Sequence, residues 1–212
     1  KAAALLEWQH EPMADYYSHP LIGIPSRLRV KAIFKELGKL RGQKLLDVGC
    51  EAGYITLQLA QKGAQVTAID ILAEPLEALK QAAKAKNLKL KLRLADAANL
   101  PFKSDSFEIV LATEVIEHIT QLDKFVNEAF RVLKPDGRLL ITFPNENLRQ
   151  KLYPIVSLFG IKAELESQVT LNNFQSEKII SLFSQKFTLK KFYRLPWWLP
   201  VTNLMLFNKP RP

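Results

Sequence analysis

Short apolar runs alternate along this chain with longer stretches in which apolar residues recur every three or four positions. Runs near 44–49, 65–70, 89–94, 107–112 and 137–143 read as buried strands, and the spacing over 54–62, 73–86 and 121–133 reads as helices. Strand and helix therefore alternate, which predicts a parallel sheet. Ahead of the first strand, Leu28, Ile33, Phe34 and Leu37 space a helix over about 26–40, with Ser26 as its cap and Gly38 near its stop. After Asn145 the repeat breaks. Ser176-Glu177-Lys178-Ile179-Ile180 then opens a helix, and the apolar runs 187–192 and 203–207, joined through Pro196 and Pro200, predict a closing antiparallel hairpin. No internal repeat, low-complexity stretch or linker interrupts this order.

The first strand ends in a distinctive turn, Leu45-Leu46-Asp47-Val48-Gly49-Cys50-Glu51-Ala52-Gly53. Glycine is needed where a buried strand bends sharply into a helix and backbone must approach a ligand. Seventeen positions after Gly53 the second strand closes on Asp70, and an acid there can accept both hydroxyls of a ribose. A dinucleotide fingerprint would need glycine at the third and sixth positions counted from Gly49, where this chain has Glu51 and Tyr54. NAD and FAD are thereby disfavoured.

The pattern Asp-x-Gly-x-x-x-Gly from Asp47 to Gly53, followed by the acid at Asp70, resembles the S-adenosylmethionine-dependent methyltransferases with the Rossmann-like fold. The resemblance extends to Leu94-Ala95-Asp96-Ala97, to Leu100-Pro101-Phe102 and to Ser106-Phe107-Glu108-Ile109-Val110 as a fourth strand. It ends with Arg131-Val132-Leu133-Lys134-Pro135-Asp136-Gly137-Arg138-Leu139-Leu140-Ile141 as a helix end, turn and fifth strand. It implies an α/β, Rossmann-like doubly wound fold: a mostly parallel seven-stranded sheet with helices on both faces and a C-terminal antiparallel hairpin. Residues 1–43 would form an N-terminal helical lid on the acceptor side, and 44–212 the methyltransferase domain, with core motifs over 44–145. S-adenosylmethionine would be bound by Asp47, Gly49, Cys50, Gly53, Asp70, Ile71, Asp96, Ala97 and Glu114, Asp96 holding the adenine amino group. One position departs from the family, which usually has glycine where this chain has Glu51. That side chain must point away from the ligand or meet its amino group, since a carboxylate beside the methionine carboxylate would repel it.

A second constellation, Glu114-Val115-Ile116-Glu117-His118, follows strand four at the edge where open α/β sheets place ligands. If 114–118 form one helical turn, Glu114, Glu117 and His118 share a face and converge on the acceptor side. The string resembles the O-methyltransferases of ubiquinone biosynthesis and, more weakly, small-RNA methyltransferases that modify a terminal ribose 2′-hydroxyl. In both, it is associated with a divalent metal near the acceptor oxygen. Here the histidines are His10, His19 and His118, and Gln168 stands where many relatives have another, so a metal would need Asn145 or Glu146 to complete its ligands. Three readings stay open: a divalent metal, which is not the favoured one; Glu114 on the cofactor head with His118 and Glu117 as catalytic groups; and a structural helix start.

Charge adds a bias toward the flanks. The formal net charge is +9, distributed as +4 over residues 1–44, −1 over 45–144 and +6 over 145–212. Anionic small molecules, an anionic membrane surface and nucleic acid are all admissible partners, nucleic acid being the less favoured; Lys80, Lys84 and Lys86 read as an ordinary solvated helix face. Tyr16-Tyr17 and Pro25-Ser26-Arg27-Leu28-Arg29 are loosely similar to the stretch ahead of the core in the ubiquinone-type enzymes, which makes Arg29, with Arg27 as substitute, the group to grip the cofactor carboxylate. Leu195-Pro196-Trp197-Trp198-Leu199-Pro200 suits either a membrane interface or a bend with its tryptophans in the core, and the core is preferred. A single cysteine, the absence of an apolar run of 18 residues and the absence of a signal-like pattern predict a cytoplasmic protein, with peripheral membrane contact open. The expected acceptor is a small or lipid-like molecule, methylated at oxygen; the alternatives are an RNA methyltransferase that uses the basic flanks and a non-catalytic adenosyl-binding regulator.

Overall fold

A computed structural model of the chain describes residues 20, 23–157 and 173–211. Tyr16, Tyr17, His10, His19 and Gln168, and with them about half of the expected lid, lie outside the described residues.

Seven strands form one sheet: β1 (Lys44–Val48), β2 (Gln65–Asp70), β3 (Lys91–Leu94), β4 (Phe107–Thr113), β5 (Leu133–Pro144), β6 (Thr188–Leu195) and β7 (Thr202–Asn208). Their order across the sheet is β3-β2-β1-β4-β5-β7-β6. The first five run parallel, with Val48 opposite both Ile69 and Ala112, and β7 returns antiparallel between β5 and β6. Apolar side chains alternate between the two faces, and each face is covered. Leu45, Val66, Ala68, Ile109 and Leu111 pack under α1 (Ile24–Leu37), α2 (Tyr54–Gln61) and α3 (Ala73–Ala85), through Ile33, Leu59 and Leu79. Leu46, Ile69, Val110, Leu139 and Ile141 pack on the other face under α4 (Leu122–Val132) and α6 (Ser176–Ser184), through Phe125 and Phe183. This is the doubly wound arrangement that the family resemblance implies, with the parallel strands that the alternation predicts.

Four local details differ from the expectation. Helix α1 starts two residues earlier, with Gly23 in the cap position, so Ser26 is a buried helical residue and caps nothing; Gly38 closes it as expected, donating its N–H to the Phe34 carbonyl. Strand β5 reaches back to Leu133, which pairs with Phe107 before a register shift, and the expected turn survives only as positive φ at Asp136. A helix absent from the expectation, α5 (Glu146–Ser157), follows β5 directly; Pro154 inside it obscures its spacing. Finally, Trp197 is 87% exposed and Trp198 53%, so the preferred core placement is overturned. The six residues from Pro196 to Val201 are too short a bend to fold their own side chains back over the sheet, and Leu204 and Leu206 of β7 already fill the apolar layer there.

Candidate functional site

The sheet reverses its winding between β1 and β4, where crossovers leave in opposite directions and a crevice opens at the carboxyl ends of the strands. A cavity of about 640 Å³ lies there.

The first wall is the turn from β1 into α2. Gly49, Glu51 and Gly53 all have positive φ, at 68°, 46° and 87°. The two glycines also answer to packing: a Cβ at Gly49 would stand 2.4 Å from Val115 Cγ2, and one at Gly53 2.2 Å from Leu79 Cδ1. The N–H groups of Gly49 and Cys50 both donate to the Ile69 carbonyl, which lashes the turn to the end of β2. Asp47 is buried beneath it and accepts a hydrogen bond from the Thr56 hydroxyl at 2.6 Å. Burial pushes its carboxyl up to about 7, against the pull of Thr56. Burial likewise raises the Cys50 thiol, helped by Asp47 and Asp70, so Cys50 is an inert wall and no nucleophile.

Asp70 supplies the next wall and also shapes it. Its carboxylate accepts the Glu51 N–H and the Leu72 N–H, each at 3.0 Å. Burial raises its pKa, and those backbone donors oppose the rise. The loop after β3 carries Asp96, which accepts the Ala98 N–H at 2.8 Å. That loop is anchored from α4, where Arg131 donates to the Leu100 and Phe102 carbonyls and Glu128 accepts the Leu100 N–H.

At the end of β4 the chain turns at Glu114 with φ 52°, and a single 3-10 turn follows over Ile116–His118. The expected helical turn over 114–118 is therefore not formed, because its first residue is left-handed. Glu114 sits between two guanidinium groups, 2.8 Å from Arg29 of α1 and 2.5 Å from Arg149 of α5. Burial opposes its charge, but Arg29 and Arg149 hold its carboxyl below the usual range, with Thr142 contributing. Helix α1 is itself fixed by Glu36, which accepts from Tyr193 at 2.9 Å and pairs with Lys191 at 2.7 Å.

Of the residues singled out from the sequence, Asp47, Gly49, Cys50, Gly53, Asp70, Ile71, Asp96, Ala97, Arg29, Glu114 and His118 all border this one cavity. Glu117 does not border it and is buried. Arg29 borders the cavity while already paired to Glu114, an arrangement the sequence does not announce, and Thr56, Thr142 and Arg149 were likewise not singled out. Asn145 is spent on the hairpin, donating to the Pro200 carbonyl, and Glu146 accepts the Tyr153 hydroxyl. Among the described residues no group of three or more His, Cys, Asp or Glu side chains is placed to hold a metal ion.

The wall carries six carboxylates, Asp47, Glu51, Asp70, Glu74, Asp96 and Glu114, against one guanidinium and no lysine. In a chain of net charge +9, that inversion fits a cationic ligand. Apolar Ile71 and the backbone of the glycine turn give a flat ring and a ribose surfaces to lie on, and Asp70 keeps lone pairs for hydroxyl donors. The fold and the cavity together define a protein that binds a positively charged nucleoside at a sheet switch point.

Comparisons with known proteins agree. A family model described as "Methyltransferase domain" matches residues 46–141. The chain is 30% identical over 195 residues to a ubiquinone biosynthesis O-methyltransferase of Psychrobacter arcticus, covering 83% of this chain and 75% of that protein. It is 32% identical over 117 residues to the same-named protein of Pelagibacter ubique, covering 55% of this chain and 48% of that one; the matched part is thus about half the length of some curated relatives. Among solved structures, magnesium protoporphyrin IX methyltransferase (ChlM) from Synechocystis, determined with bound SAH, superposes with a TM-score of 0.72 at 18% identity, over 98% of this chain and 94% of that one. The chain belongs to the S-adenosylmethionine-dependent methyltransferase family.

Proposed function

We propose that this protein methylates a hydroxyl of a small or lipid-like acceptor, with His118 as the group that takes or orients the acceptor proton. What supports this reading is the 30% identity with a ubiquinone biosynthesis O-methyltransferase over 195 residues, joined to an imidazole on the cavity wall four residues after Glu114, the glutamate that follows β4. S-adenosylmethionine supplies an activated methyl group on a sulfonium. The chain's own residues then have separable tasks. Asp70 accepts the ribose hydroxyls, Asp96 the adenine amino group, and Arg29, half-neutralised by Glu114, meets the methionine carboxylate. Residues 1–43, which include α1, serve as the lid on the acceptor side.

A phenol of pKa about 10 is some three units from ionised at neutral pH, a cost of about 4 kcal/mol that a neutral imidazole within hydrogen-bond reach lowers. Alignment of acceptor and methyl group supplies more, roughly 7 to 11 kcal/mol. The test is turnover against catechols and quinols with and without prenyl tails, short RNAs and neutral lipids, with the demethylated cofactor as readout and mass spectrometry to locate the methyl group. Oxygen methylation of a phenol, reduced about 10²–10⁴-fold in His118→Ala and indifferent to chelators, is the expected outcome. Methylation confined to RNA, or at carbon or nitrogen only, defeats the proposal.

A further inference from the structure

The exposed tryptophans lie on a surface that the reaction itself does not explain. Antiparallel pairing puts Thr202 opposite Pro144 and Leu195 opposite Thr202, so the β6–β7 bend emerges at the same edge of the sheet as the carboxyl ends of β1, β2, β3 and β4. The large exposed apolar side chains crowd this edge. Leu94 ends β3, Ile71 follows β2, Tyr54 opens α2 after the β1 turn, and Trp197 and Trp198 form the bend. Of the six large apolar side chains that are exposed among the described residues, only Ile155 of α5 lies elsewhere in the chain. The bend is also pinned: Asn145 donates through its side chain to the Pro200 carbonyl and through its N–H to the Val201 carbonyl, and Arg149 to the Val201 carbonyl. Neither tryptophan borders the cavity.

Along the sequence, the segment that contains the bend carries charge of one sign. From residue 186 to 212 there are six basic side chains and no acidic one. Lys190, Lys191 and Arg194 lie on β6, the edge strand that leads into the bend. Lys191 is offset by Glu36 and Arg194 partly by Glu177 at 3.8 Å, while among the described residues no carboxylate pairs with Lys190. Paired indoles at a tip, held by a rigid bend and approached along the edge strand by Lys190, Lys191 and Arg194, have the composition of a membrane-interface anchor.

We propose that the carboxyl edge of the sheet docks on an anionic lipid bilayer through Trp197 and Trp198, with the β6 cations against the headgroups. Neighbouring strands are about 4.8 Å apart, so with two strands between β1 and β7 the bend lies roughly 14 Å along the edge from the glycine turn. Docking there points the cavity mouth at the lipid. The inference concerns the surface and does not rest on the hydroxyl-acceptor reading: failure of vesicle binding and failure of phenol methylation are separate measurements.

The full chain is tested by co-sedimentation with vesicles of pure phosphatidylcholine and of phosphatidylcholine with 30% phosphatidylglycerol. The protein binds the anionic vesicles, each surface cation contributing about fivefold to the partition coefficient at low salt, and binding weakens as salt is raised. Trp197→Ala/Trp198→Ala lowers the partition at least about tenfold and leaves affinity for S-adenosylhomocysteine unchanged, which certifies that the variant is folded. Trp197→Phe/Trp198→Phe retains most of the binding. No binding of the native chain to anionic vesicles at low salt overturns the proposal, as does full binding by the double alanine variant. A native chain that ignores vesicles but self-associates, and becomes monomeric in that variant, assigns the bend to a second copy instead.

Discussion

Glu114→Gln keeps the side chain's size and removes the anion that Arg29 and Arg149 share. Their side chains are 6% and 13% exposed, so the two guanidinium groups would be left close together with little water to screen them. Breaking a buried pair by removing one partner costs about 3–5 kcal/mol. Because the cavity admits some solvent to Arg29, the lower end applies, about 3 kcal/mol out of a total stability of roughly 5–15 kcal/mol. With a urea m-value of about 2 kcal/mol/M, the unfolding midpoint drops by about 1.5 M. The pH dependence carries the same sign. Glu114 titrates lower when folded than its ordinary value of 4.5, so its contribution is fully present above that value and is lost as pH falls through the depressed folded value. The native protein therefore loses stability over that acid window, and the variant loses less. Arg149→Met is the control, since Glu114 keeps Arg29, and it costs about half as much. A Glu114→Gln variant less than about 1 kcal/mol destabilised, with an unchanged acid limb, would refute the claim that this carboxylate ties α1 and α5 to the end of β4.

Other perturbations separate the remaining walls. Gly53→Ala forces a left-handed residue and a Cβ 2.2 Å from Leu79 Cδ1; a loss of about 2–4 kcal/mol is expected by thermal unfolding, and a loss under 1 kcal/mol would mean the turn relaxes freely. Asp47 titrates near 7 when folded, above its ordinary 3.8, so stability falls as pH rises between those values, by at most about 4 kcal/mol, and Asp47→Asn flattens that slope. Calorimetry gives the complementary sign: S-adenosylmethionine, a cation, favours the ionised carboxylate, so its affinity rises with pH across 7 with proton release, while the uncharged thioether product shows little change. Equal pH profiles for the two ligands would detach Asp47 from the sulfonium. Glu51→Gly relieves the φ of 46° at a gain of about 1 kcal/mol, read as a melting point higher by roughly 2–4 °C, with cofactor binding retained.

The parts of this molecule that sequence reading reached are those governed by local rules. Strand and helix periods need only their own residues, so β1, β2, β4 and the helices between them match within a residue or two. The cofactor wall is legible for the same reason: Gly49, Gly53, Asp70 and Asp96 each stand at a strand end, and parallel topology alone gathers strand ends at one edge. What escaped depends on partners far away in the chain. Arg149 lies 35 residues beyond Glu114, within a helix whose Pro154 masks its period, and nothing nearby in sequence marks it. The left-handed Glu114 is hidden too. Its φ of 52° is held by the N–H bond to the Thr142 carbonyl and by the ion pairs, all of them products of tertiary structure. That one residue divides the Glu-x-x-Glu-His string: Glu114 and His118 border the cavity, and Glu117 is buried away from it. The same physics governs the tryptophans, whose apolar character argues for burial only where a surface remains to receive them. The interior behind β7 is already filled by Leu204 and Leu206, and two large rings on a six-residue bend have nowhere to go but outward.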